Sequence, residues 1–154
     1  QDVPTYVMHG AADLGVVGLD VLEEKEYDLI KLLDLKLGKC KVAFGLRAGE
    51  SINFDKSKIT IATKHEKIAK KYFEEKAMAV EIIKLYGSIE LAPLVGLCDC
   101  IVDIVETGET MKQNGLEVGP TIMQSSAHLI ANKNSFYAKK DAIFNLKDRI
   151  EKYL

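Results

Sequence analysis

Between Asp99 and Met111 an apolar run is broken twice by acid. Ile101, Val102, Ile104 and Val105 read as a buried strand, while Asp103 and Glu106 set into it carboxylates that a core does not tolerate unpaired. Thr107-Gly108-Glu109-Thr110 follows, offering two hydroxyls, successive backbone N–H groups and a glycine free to take an unusual φ where a helix is expected to begin. Such a loop suits a phosphate. Acids beside an anion make sense if Mg²⁺ or a sugar is present: carboxylates hold Mg²⁺ directly or through water, and they accept hydrogen bonds from ribose hydroxyls. Asp103 and Glu106 fit those tasks. The plainer reading makes Asp103 a helix cap, Glu106 a solvated acid and the loop an ordinary strand-to-helix turn.

Other residues are weaker candidates. Gly87-Ser88-Ile89-Glu90 also follows a strand and opens a helix, so Glu90 could reach the same cleft or simply act as a capping acid. Asp13 stands in a strand with little other charge. His9, His65 and His128 have no metal-ligand spacing and read as surface or satisfied histidines, so no zinc site is expected. Lys56, Lys58, Lys64, Lys67, Lys70 and Lys71 could attract phosphate, but a solvated helix face accounts for them better.

The elements that must position these residues alternate. A short helix from Asp2 ends at Gly10; a strand over Ala12 to Val17 and a helix over Asp20 to Lys25 follow, then strands over Leu29 to Leu35 and Cys40 to Leu46. Arg47 to Lys56 reads as a loop. Ile59 to Ala62, Lys64 to Lys76 and Val80 to Leu85 give strand, helix and strand; Ser88 is expected to cap a helix carrying Ile89, Leu91, Leu94 and Val95, ahead of the strand Cys100 to Val105. Leu116 to Ile122 and Ser126 to Ala131 look extended, and Ile143, Leu146 and Ile150 close the chain on an amphipathic helix. The alternation predicts a mainly parallel sheet with helices on both faces and ligands beyond the carboxyl ends of strands.

Bulk properties set the frame. The 154 residues suffice for one ordinary domain or two small lobes, and 47% hydrophobic content supplies a core. A net charge of −2 leaves no basic footprint for nucleic acid, so a polyanionic ligand needs a local site. Cys40, Cys98 and Cys100 are odd in number and set in apolar sequence, which points to buried thiols in a reducing cytoplasm. No apolar run approaches the roughly 20 residues of a membrane span, and Gln1-Asp2-Val3-Pro4 does not resemble a signal peptide. The polar break at Gly49 to Lys56 and a return near Ser125 to Lys133 allow a two-lobed chain.

Taken together, Glu90-Leu-Ala-Pro-Leu-Val-Gly96-Leu-Cys98-Asp-Cys-Ile101-Val-Asp103-Ile104-Val-Glu-Thr107-Gly108-Glu-Thr110-Met111 resembles the signature of ATP phosphoribosyltransferase, the first enzyme of histidine biosynthesis. Cys98 departs from the family's small Ser, Ala or Gly. Asp2-Val-Pro-Thr-Tyr-Val, His9-Gly-Ala-Ala-Asp13-Leu-Gly15-Val-Val-Gly18, Gly38-Lys-Cys-Lys, Ile61-Ala-Thr63-Lys and Ser126-Ala-His-Leu-Ile resemble successive family blocks, in order. The resemblance implies an α/β, periplasmic-binding-protein-like fold of two lobes joined by two crossing strands, with the active site in the cleft. Residues 1–43 and 125–154 would form the first lobe and 44–124 the second. It implies the short form, without the regulatory domain of long forms. A regulatory subunit resembling histidyl-tRNA synthetase would be its partner in a homo- or hetero-oligomer. Family members begin with a further strand and helix upstream of Asp2, carrying basic active-site residues, so the chain is expected to lack that segment.

The implied reaction moves the 5-phosphoribosyl group of phosphoribosyl pyrophosphate to N1 of ATP and releases pyrophosphate. Asp103 and Glu106 are the implied catalytic pair; Asp103 would bind the ribose and Thr107, Gly108, Glu109 and Thr110 the 5-phosphate. Asp13 and Glu90 would face the nucleotide, and Mg²⁺ would be held mainly by substrate rather than by protein alone. A type I phosphoribosyltransferase has a similar short window but adjacent acids; a periplasmic-type binding module is the non-enzymatic alternative.

Overall fold

Apolar residues on both faces of one short strand explain where the larger sheet is buried. In β6 (Cys100–Val105), Cys100 and Val102 belong to one buried cluster and Ile101 and Val105 to another, as strand alternation requires. The computed structural model describes residues 2–154. The chain divides into two compact units, Cys40–Gln124, and Gln1–Lys39 with Ser125–Leu154.

The Cys40–Gln124 unit holds a five-stranded sheet. Its strands are β3 (Cys40–Arg47), β4 (Ile59–Thr63), β5 (Val80–Lys84), β6 and β7 (Leu116–Ser125), in the order β5-β4-β6-β3-β7. Both neighbours of β4, β5 and β6, run parallel to it; β3 runs antiparallel to β6, with Ala43 opposite Asp103 and Phe44 opposite Val102. On one face α3 (Glu66–Glu75) presents Ile68, Ala69 and Phe73 to Val42, Phe44, Ile59, Ile61 and Val102. Phe44, Tyr72 and Phe73 meet edge to face, with centroids 5.2 to 5.7 Å apart. Against the other face lie α4 (Leu91–Leu94) and α5 (Glu109–Gln113), through Ala92, Met111 and the preceding Ile89.

The other unit is built on a three-stranded sheet of β1 (Leu14–Gly18), β8 (Ala127–Ala131) and β2 (Ile30–Asp34), in the order β1-β8-β2 and antiparallel throughout. Helix α1 (Val3–Met8) packs so closely on β1 that a Cβ on Gly15 would lie 2.6 Å from Val3 Cγ1, so the position requires glycine. The Asn132 side chain donates to the carbonyls of Val7 and Met8 at the end of α1 and accepts from the Ser135 N–H, capping α6 (Lys133–Ala138). Helices α2 (Leu19–Lys25) and α7 (Lys140–Glu151) complete it.

Two expectations change. The sheets are not mainly parallel: the five-stranded one is mixed because β3 runs antiparallel to β6, and the three-stranded one is antiparallel because the strand that returns after the long 40–124 excursion enters between β1 and β2 in the opposite sense. The helix over Ile89 to Val95 shrinks to α4, and Ser88, at φ 49°, is not its cap: its carbonyl accepts from the Leu91 N–H, and Glu90 takes the cap position. Among the described residues no helix is long and apolar enough to cross a membrane.

Candidate active site

Loops 64–65, 85–90 and 106–108 leave the carboxyl ends of the parallel strands β4, β5 and β6 and lead into α3, α4 and α5. Open α/β sheets bind ligands at this edge. Asp103, Glu106 to Thr110 and Glu90 all belong to it, within one unit.

Asp103 shares a strand face with Ile101 and Val105, yet it stands where β6 emerges, so its side chain keeps 24% exposure. Its Oδ1 accepts from the backbone N–H of Ile104 at 2.8 Å and lies 3.4 Å from Lys64 Nζ and 3.6 Å from His65 Nε2. Burial by itself raises the Asp103 carboxyl, but His65, the Ile104 N–H and Lys64 outweigh it and hold the group below the ordinary carboxylate range. It is an anion at neutral pH, and all three of these groups approach Oδ1.

The loop after β6 turns on Gly108, whose φ of 83° lies in the left-handed region and whose Cβ, if present, would sit 2.9 Å from Val118 Cγ2. Thr107 Oγ1 accepts from the Glu109 N–H at 3.3 Å, and buried Met111 fastens the turn to the core. Thr107, Glu109, Thr110 and Glu106 remain exposed. The result is a tight turn with two exposed threonines beside one hydrogen-bonded and one solvated carboxylate.

Glu90 is half-buried at the start of α4, between buried Ile89 and Ala92. Asp13 belongs to the other unit, where its carboxylate accepts from Ser135 Oγ and Lys139 Nζ, both at 2.7 Å; these bonds, Lys139 first, lower its pKa. Lysines read as a solvated face are largely ion-paired: Lys56 with Asp99, Lys58 with Glu81 and Lys70 with Glu74. Lys64 differs by reaching Asp103.

Sequence reasoning missed His65. Its backbone N–H donates to Thr63 Oγ1 at 2.9 Å, and that buried hydroxyl donates to the Val102 carbonyl at 2.6 Å. The His65 backbone is thereby tied to the residue before Asp103. The only signal was positional, since Thr63-Lys64-His65 ends a strand that parallel pairing sets beside β6.

An α/β fold of two units, one with a mixed sheet whose helix-leading loops leave the carboxyl ends of its parallel strands, defines the class as periplasmic-binding-protein-like. The substrate binding protein of an amino acid ABC transporter shares that fold, with TM-score 0.65 at 14% identity over 98% of this chain and 68% of that one. Within this class the match narrows: the family model HisG, ATP phosphoribosyltransferase, covers residues 1–152. An ATP phosphoribosyltransferase of Sulfurovum sp. is 64% identical over 151 residues, 98% of this chain and 73% of its own length. The ATP phosphoribosyl transferase (HisG:HisZ) complex from Thermotoga maritima has a chain with TM-score 0.84 and 38% identity, over 98% of this chain and 74% of that one. The chain belongs to the ATP phosphoribosyltransferase family.

Proposed function

We propose that this chain catalyses its family's reaction, the first step of histidine biosynthesis, with the β6–α5 loop as the phosphoribosyl pyrophosphate site. The observation that carries the placement is the turn at Gly108, which leaves Thr107 and Thr110 exposed one short step beyond an ionised, half-buried Asp103. Thr107, Gly108, Glu109 (through its backbone N–H) and Thr110 cradle the 5-phosphate. Asp103 receives the ribose hydroxyls, and Glu106 stands beside the reacting centre. Glu90 and Asp13 are assigned to the nucleotide on the family resemblance.

In the transfer, the bond from ribose C1 to the pyrophosphate oxygen breaks, pyrophosphate leaves with the electron pair, and the lone pair of adenine N1 forms the new N1–C1 bond. No strong base is needed, because N1 already carries its lone pair. The protein's task is alignment and charge stabilisation: a fixed carboxylate favours the positive charge that develops on the ribose, and the loop holds the far phosphate still. Among the described residues no group of three or more His, Cys, Asp or Glu could hold a metal. The exposed Glu106 suits a Mg²⁺ that would be held mainly by substrate phosphates and water, and such an ion would neutralise the leaving pyrophosphate.

The complex named for the Thermotoga relative supports a hetero-oligomer here too, with a histidyl-tRNA-synthetase-like regulatory subunit. The free thiols of Cys98 and Cys100, both buried, support a cytoplasmic setting. Incubating the full-length protein with ATP, phosphoribosyl pyrophosphate and Mg²⁺, with and without such a subunit, should yield phosphoribosyl-ATP and pyrophosphate. No product in either case, from a folded full-length chain, contradicts the assignment.

A further inference from the structure

We propose that His65 is a positioning residue for Asp103: its Nε2–H holds Oδ1 so that Oδ2 is presented to the ribose of phosphoribosyl pyrophosphate. This rests on the reading of Asp103 as the ribose acceptor. His65 is only 7% exposed, and its buried Nε2 has no closer polar partner among the described residues than the Asp103 carboxylate. That nitrogen lies 3.6 Å from Asp103 Oδ1, just beyond hydrogen-bond length. Nothing in the local fold requires a histidine here, because the ring does not cap α3 and only the backbone of His65 bonds Thr63.

The surroundings give the pairing a direction. Ile104 N–H, Lys64 Nζ and His65 Nε2 converge on the same oxygen of Asp103, Oδ1. The Thr63 hydroxyl fixes the His65 backbone to the Val102 carbonyl, so imidazole and carboxylate share one frame. A ribose drawing on Oδ2 would pull the carboxylate away unless Oδ1 is held from behind. From 3.6 Å, a contraction of a few tenths of an ångström would bring Nε2 and Oδ1 to hydrogen-bond length.

Two substitutions in the full-length protein, in its active assembly, test this. His65→Phe keeps a ring and removes the donor; His65→Gln returns an N–H near the position of Nε2. The Phe variant should raise KM for phosphoribosyl pyrophosphate about tenfold, with KM for ATP within about twofold, as expected for one lost hydrogen bond to a charged group. The Gln variant should recover most of the loss. An unchanged KM in a folded Phe variant, or equal losses for both substrates, overturns the inference. If the Phe variant does not fold, ¹⁵N spectra of the His65 ring in the unaltered protein decide: the Nε2 signal should move on adding phosphoribosyl pyrophosphate with Mg²⁺ but not on adding ATP, and an unmoved signal overturns it. Asp103→Asn separates the two levels. If it leaves KM for phosphoribosyl pyrophosphate untouched, the ribose assignment itself fails; if it raises that KM while His65→Phe is silent, only the role of His65 fails.

Discussion

Asp103 is the residue to which the proposed chemistry assigns the ribose, and it was visible in the sequence because charge inside an apolar strand demands an explanation. Its environment was not visible. Lys64 and His65 lie 38 or more positions earlier, and only the parallel pairing of Ile61 with Cys100 through Thr63 with Val102 brings them to it. A histidine without metal spacing gives no hint that its Nε2 ends up buried beside a carboxylate. Removing the charge while keeping the shape tests the residue's part: Asp103→Asn should lower kcat/KM for phosphoribosyl pyrophosphate about 10- to 100-fold, the loss expected for hydrogen bonds to an ionised acceptor. Steady-state kinetics with each substrate varied in turn would measure it.

At the scale of elements, the strand periods and the loop at Thr107 were legible, whereas strand direction was not. Alternating strand and helix suggests βαβ wiring, which holds from β4 through β6, but local pattern cannot report that β8 enters between β1 and β2. Ser88 shows the same limit, since a serine after glycine looks like a cap until its backbone proves to have φ 49°. The Asn132 cap of α6, with its Ser135 partner, was found only in the structure. The strand-to-helix turn at Gly108 is the most exacting element. Gly108→Ala should destabilise the fold by about 1–2 kcal/mol from the left-handed backbone alone. The added Cβ would meet Val118 as well, so the loss should exceed that of Gly49→Ala, where φ is also positive but nothing lies within 4 Å. Denaturant unfolding of the two variants gives the comparison; equal losses would show that Val118 yields freely.

For the whole molecule, several carboxylates are stabilised as anions. The Lys56 ammonium and the Thr60 N–H lower the pKa of Asp99, and the Ser126 hydroxyl and Lys36 N–H lower that of Asp34; Asp13 and Asp103 are lowered too. Since the folded values lie below the unfolded ones, the unfolded chain takes up protons first. The stabilisation is full above the ordinary carboxylate value of 3.8 and is lost as pH falls through the lower folded values. Thermal midpoints should therefore drop steeply below about pH 4, and Asp99→Asn should flatten part of that drop. The division into two units, 40–124 and the flanking segments, leaves the β6–α5 loop and Asp103 in one of them. The central claim is that this loop receives the 5-phosphate, and Thr107→Val tests it most directly, because it removes one exposed hydroxyl while nearly preserving volume. In phosphoribosyl-ATP assays of the full-length protein, KM for phosphoribosyl pyrophosphate should rise about tenfold and KM for ATP should stay within about twofold; equal losses for the two substrates, or no loss for either, would contradict the account.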